Sequence, residues 1–132
     1  PVGAVPSRMR LSLSRLRPVA WVMAAPAGAA MLCGALEAAA GTVFPVQGLA
    51  LGMAAGAAAT IVVASGFGNV LAQYPLGRLA DRLGTDHALV ACGLLVAASA
   101  LLWPVLAPGW ATWPVLAVWG GASGAIYTLG MV

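Results

Sequence analysis

Gly77-Arg78-Leu79-Ala80-Asp81-Arg82-Leu83-Gly84 is a short charged stretch set between two long runs that carry no charge. Residues 38–77 contain no Asp, Glu, Lys, Arg or His, and neither do residues 88–132. The stretch itself holds two Arg and one Asp. Charges gathered between membrane-length apolar runs mark a short loop at a bilayer surface, so residues 77–84 read as a turn between two spanning helices.

The whole composition agrees. The chain is 62% hydrophobic and 7% charged, with a mean hydropathy of +0.99. A soluble domain carries about 25% charged residues. So much apolar surface needs lipid as its solvent, and in lipid only helices and closed barrels satisfy the backbone. Barrel strands alternate polar and apolar residues with a period of two. Here whole runs are apolar and rich in Ala, Leu, Gly and Val, so the expected class is an all-α membrane protein.

A span needs about 20 apolar residues. Four fit the chain, at about 19–44, 51–76, 86–106 and 111–132. Phe44-Pro45-Val46-Gln47-Gly48 supplies the first break and Pro108-Gly109 the second outer turn, because Pro and Gly punctuate helices. All six basic residues are Arg. Arg8, Arg10, Arg15 and Arg17 precede the first run, and Arg78 and Arg82 occupy the central turn. Four spans put both clusters on one side, which the positive-inside rule makes cytoplasmic. The net charge of +3 therefore reads as topology and not as a nucleic-acid surface. Residues 1–17 read as a cytoplasmic linker. The chain begins Pro-Val-Gly and stops inside an apolar run, the expectation for a piece of a larger membrane protein. Trp103, Trp110 and Trp113 flank the outer turn as an aromatic belt, with Trp21 near the inner boundary. The Arg-only, Ala/Gly-heavy usage fits a GC-rich bacterial genome, and hence a cell (inner) membrane.

Few side chains offer chemistry. Glu37 is the only acid inside a run, and an intramembrane carboxylate is a functional candidate by default. Its distance beyond Arg17, about 30 Å of helix, places it toward the outer interface. Asn69, Gln73 and Tyr74 fall in the last turns of the second helix, and Tyr127 and Thr128 in the fourth. Each can line an aqueous path or bond a neighbouring helix. Cys33 and Cys92 read as small core residues. Gly48, Gly52 and Gly56 are spaced four apart, as are Gly120 and Gly124, a spacing that permits close helix approach in lipid. Gly121-Ala122-Ser123-Gly124 matches the G-x-S-G pattern of intramembrane serine proteases. That chemistry needs a nearby His as base, and His87 falls at the cytoplasmic end of the third helix. His87 and Asp86 read as helix-start residues, with Thr85 or Asp86 as cap. No phosphate loop, metal cluster or nucleotide fingerprint appears, so neither an enzyme nor a cofactor is expected.

The central stretch resembles the loop signature of the major facilitator superfamily, G-x-x-x-D-R-x-G-[RK]-[RK]. Gly77, Asp81, Arg82 and Gly84 carry the match, and Gln73-Tyr74-Pro75-Leu76 is similar to the helix end that leads into that loop. The sequence departs after Gly84, where Thr85-Asp86-His87 stand in place of the basic residues. The resemblance implies a twelve-helix bundle of two six-helix halves. The fourth span has no Arg and the segment before the first span is Arg-rich, which points to helices seven to ten, in the second half. It further implies a secondary transporter that moves a small solute, with a coupling proton, by alternating access. Its partners would be the lipid bilayer and the remaining helices of the same chain. Gly77, Arg78, Asp81, Arg82 and Gly84 would form a conformational latch, with Asp81 bonding helix-end amides and an Arg. Glu37, Asn69, Gln73 and Tyr127 are the candidates for coupling or substrate contact. Two other expectations compete: a complete four-helix small multidrug transporter, and a non-transporting anchor or assembly subunit.

Overall fold

A computed structural model describes residues 13–131, with side-chain surroundings from residue 21 onward. The linker expected at 1–17 thus lies mostly outside the described residues, Arg8 and Arg10 included. Among the described residues every regular element is a helix: α1 (Leu13–Ala50), α2 (Ala55–Ala59), α3 (Ile61–Leu83), α4 (Thr85–Leu106) and α5 (Thr112–Gly130).

Three segments, Trp21–Ala50, Ala55–Leu83 and Thr85–Leu106, are long and apolar enough to cross a membrane. They expose side chains that water would reject, among them Val70, Val90, Leu101 and Val105. A surface this apolar is suited to lipid. The chain is therefore a membrane-embedded helical protein. The fourth expected span is α5, and it differs in kind. It carries Thr112, Gly120, Gly121, Ser123 and Gly124, and residues Trp119–Ile126 are buried without interruption. Over that stretch the helix is enclosed by protein and has no need of a strongly apolar surface, because its neighbours meet the lipid in its place, while Val118 and Tyr127 on either side remain exposed.

Contacts between helices fix the topology. Ser65 of α3 sits opposite Gly120 of α5, and Asn69 sits opposite Gly124, so α3 and α5 run parallel. Ala29 of α1 meets Gly130, while Phe44 meets Trp119, so α1 runs antiparallel to α5. The start of α1, the α3–α4 junction and the end of α5 consequently share one end of the bundle.

Several expected boundaries move. The first helix does not break at 44–48: α1 continues through Pro45 to Ala50, and the turn falls at 51–54. In lipid, neighbouring helices and local adjustments re-satisfy the carbonyl that a proline frees, so Pro45 punctuates less than it would in water. The stretch 77–84 is not a loop either. Gly77, Arg78, Asp81 and Arg82 form the last turns of α3, and only Gly84 leaves the helix, at φ +86°. That left-handed conformation favours glycine. Gly84 also precedes α4 directly, and neither Thr85 nor Asp86 makes a side-chain cap there. The Pro108-Gly109 turn holds: Gly109 N–H donates to the Leu106 carbonyl at 2.7 Å between α4 and α5.

The close crossing is between α3 and α5. A Cβ on Gly68 would strike the Ala117 carbonyl, one on Gly120 the Ser65 carbonyl, and one on Gly124 the Asn69 amide. Small residues three and four apart on both helices bring the two backbones into contact, where dispersion is strongest. Of the other glycine series, a Cβ on Gly48 would come within 3.0 Å of Ile61 and Met53, but Gly52 lies in the turn and a Cβ on Gly56 would face open space. The series 48-52-56 is not one packing stripe.

The expected aromatic belt divides in the same way. Trp110 is 83% exposed, but Trp103 is only 1% exposed. Trp103 joins Phe44 at 5.4 Å and Phe44 meets Trp119 at 4.8 Å, edge to face, so these rings make an interior cluster. Cys33 and Cys92 are buried, as small core residues would be.

Candidate functional site

Because α1 runs on to Ala50, about 20 Å of helix follows Glu37, where a break at 44–48 would leave about half of that. The carboxylate thus lies inside a segment long and apolar enough to cross a membrane, well short of the helix end. Asn69 moves likewise. The helix expected to end at Leu76 ends at Leu83, so Asn69 lies at the centre of the 55–83 span. Ser123 sits near the middle of α5 and meets α1 one turn from Glu37, where the Cys33 thiol donates to the Ser123 carbonyl at 3.8 Å.

These residues meet. A cleft of about 240 Å³ between α1, α3 and α5 is lined by Glu37, Ser65, Asn69, Trp119 and Ser123 with small apolar neighbours. A second, of about 360 Å³, opens on the other side of the same carboxylate and is lined by Ala30, Cys33, Gly34, Glu37 and Tyr127. Glu37 is thus the wall shared by both. Its side chain is exposed, an arrangement that would be costly toward hydrocarbon.

The polar groups around it are partly engaged. Ser65 Oγ donates to the Val62 carbonyl at 2.9 Å, and Ser123 Oγ donates to the Gly120 carbonyl at 3.0 Å. Gln73 Nε2 donates to Asn69 Oδ1 at 3.1 Å, one turn along α3. Ser65, Asn69 and Gln73 form a polar stripe at four-residue spacing, a face of α3 that hydrocarbon does not favour. Ser65 and Ser123 were not singled out as cleft residues by the sequence reading. The four-residue step from Ser65 to Asn69 to Gln73 was the available signal.

Of the remaining candidates, Tyr127 borders the second cleft, while Gln73 reaches the first through Asn69. The latch residues lie apart, at the bundle end that holds the α3–α4 junction. Arg78 sets its guanidinium 4.9 Å from the Tyr74 ring centre, a cation–π contact. Asp81 and Arg82 are exposed, and the hydrogen bonds and ion pairs expected of Asp81 are not made within the described residues. A Cβ on Gly77 would meet nothing within 4 Å, so Gly77 does not serve close packing here. His87 is exposed in the first turn of α4, while Ser123 is buried with its hydroxyl bonded inside its own helix.

No family model, curated protein or solved structure matches the chain.

Proposed function

We propose that this chain forms part of a secondary active transporter that moves a small solute across a bacterial cell membrane by alternating access. The observation that carries the reading is the carboxylate of Glu37, inside a membrane-length apolar segment, at a cleft it shares with Asn69 and Ser123. Charged residues inside a bundle are costly and mark substrate or ion pathways. Transporter sites of this kind lie near the bilayer midplane, between helices that rock against one another. Glu37 supplies the group that pairs with a substrate or carries a coupling proton. Arg78, Asp81 and Arg82 supply charged contacts at one membrane face, where they pair with helix ends of the rest of the bundle and hold one conformation. The loop pattern at 77–84, similar to that of the major facilitator superfamily, supports the same assignment.

The test needs no knowledge of the solute. Asn69→Cys, in a background with Cys33 and Cys92 replaced by Ala, is probed in sealed vesicles of each orientation with a membrane-impermeant thiol reagent. Alternating access exposes the cleft to each side in turn, so labelling proceeds from both sides. Protection from both sides would leave a packed anchor or assembly subunit, and labelling from one side only would leave a fixed vestibule. Either outcome overturns the proposal.

A further inference from the structure

We infer that the cleft takes a small organic cation, an amine in its ammonium form, with Glu37 as the counter-charge. The inference rests on the transport reading above and adds the class of solute. Among the residues lining the two clefts that meet at Glu37, it is the one with a formal charge. An anion brought to this site would face a carboxylate at a depth where solvent screening is weak.

A polyhydroxylated neutral solute is disfavoured for a different reason. Each hydroxyl it buries needs a partner. The hydroxyls of Ser65 and Ser123 spend their single protons on carbonyls of their own helices, so they are left as acceptors, and with Asn69 Oδ1 and the carboxylate the wall is rich in acceptors and short of the donors a polyol also needs. Ala40, Val62, Gly66 and Gly120 offer nothing polar from their side chains. The carboxylate is left as the strong free acceptor. An ammonium group on a compact apolar body needs one such acceptor and otherwise hydrocarbon walls. The clefts, at about 240 and 360 Å³, lie near the lower end of drug-sized pockets, which begin at about 300 Å³, so the solute is small.

Glu37 itself is the second line of argument. No ion pair holds it among the described residues, yet it stands inside a membrane-length apolar segment. A bound cation would offset that cost.

The experiment compares three probes of one shape and different charge: benzylammonium, benzyl alcohol and benzoate. Equilibrium binding is measured at neutral pH on the protein in nanodiscs of zwitterionic lipid, which offers the cation no anionic headgroup. Benzylammonium is expected to bind saturably, and the other two at least about tenfold more weakly. Glu37→Gln is expected to remove the preference, and Glu37→Asp to retain part of it. Equal binding of all three probes, undiminished benzylammonium binding in Glu37→Gln, or no binding of any probe would each overturn the inference. The last case, joined to a lowered thermal midpoint in Glu37→Gln, would assign the carboxylate to a neighbouring spanning helix. Two-sided labelling of Asn69→Cys without a cation preference would leave the transport reading standing and remove only the solute class.

Discussion

Gly120 of α5 lies directly against the backbone carbonyl of Ser65 on α3, with no room between them for a single carbon. The crossing that sets the depth of the cleft is therefore made by missing side chains. On one helix the contact runs through Ser65, Gly68, Asn69 and Ala72, and on the other through Ala117, Gly120, Gly121 and Gly124.

Gly120→Val should accordingly force α3 and α5 apart. Overpacking of this kind costs about 1–3 kcal/mol or more. The expected result is a lower thermal midpoint in detergent and loss of the Asn69→Cys labelling pattern. Gly77→Ala is the control. Gly77 is helical and faces open space, so the substitution should stabilise by about 0.5–1 kcal/mol. Destabilisation by Gly77→Ala would show that a neighbour absent from these contacts covers that position.

Thr112 opens α5 with 0% exposure, and its hydroxyl is a buried side-chain polar atom without a partner among the described residues. An unsatisfied buried group costs about 1–3 kcal/mol. Thr112→Val keeps the branched shape and removes the hydroxyl, so it should raise the thermal midpoint. A fall would indicate that the hydroxyl has a bonding partner, such as an ordered water.

Orientation follows from where the Arg residues gather. Asp86→Cys, at the exposed start of α4, should react with an impermeant thiol reagent only from the cytoplasmic side. Ala54→Cys, exposed in the turn after α1, should react only from the opposite side. The reverse pattern would invert the bundle.

Asp81 is exposed on the last turns of α3 and free to bond outside the described helices. If it latches one conformation, Asp81→Asn removes a charge-assisted bond from that state alone and shifts the two-state ratio by roughly tenfold. Solute flux in reconstituted vesicles should fall while membrane insertion is unchanged. Flux at the full rate would leave 77–84 as a topology determinant only.

The all-helical class was legible in composition, because only lipid can solvate so many exposed Val and Leu side chains. The Pro108-Gly109 turn was legible because two breakers coincide there. The end of the first span is misread when Pro45 is weighed as it would be in water, because α1 passes through it to Ala50. The 77–84 stretch was misjudged for the opposite reason. Charges were taken to exclude helix, yet Arg78 and Arg82 extend α3 and only Gly84 turns. The convergence of Glu37, Asn69 and Ser123 was not legible at all. It depends on which faces of α1, α3 and α5 meet, and helices apolar on nearly every side carry little periodic signal to tell those faces apart.

The enclosure of α5 has a consequence for how the protein is made. A nascent helix enters the bilayer according to its own side chains, and α5, with Thr112, Ser123 and a Gly-rich centre, is not among the three segments long and apolar enough to cross a membrane. Synthesis delivers α3 and α4 first, and between them they offer the seat that α5 occupies. Assembly in the ribosome's order thus lets a segment with modest affinity for lipid settle against protein. A permuted gene that released α5 ahead of α3 would be expected to leave it stranded at the translocon and open to degradation.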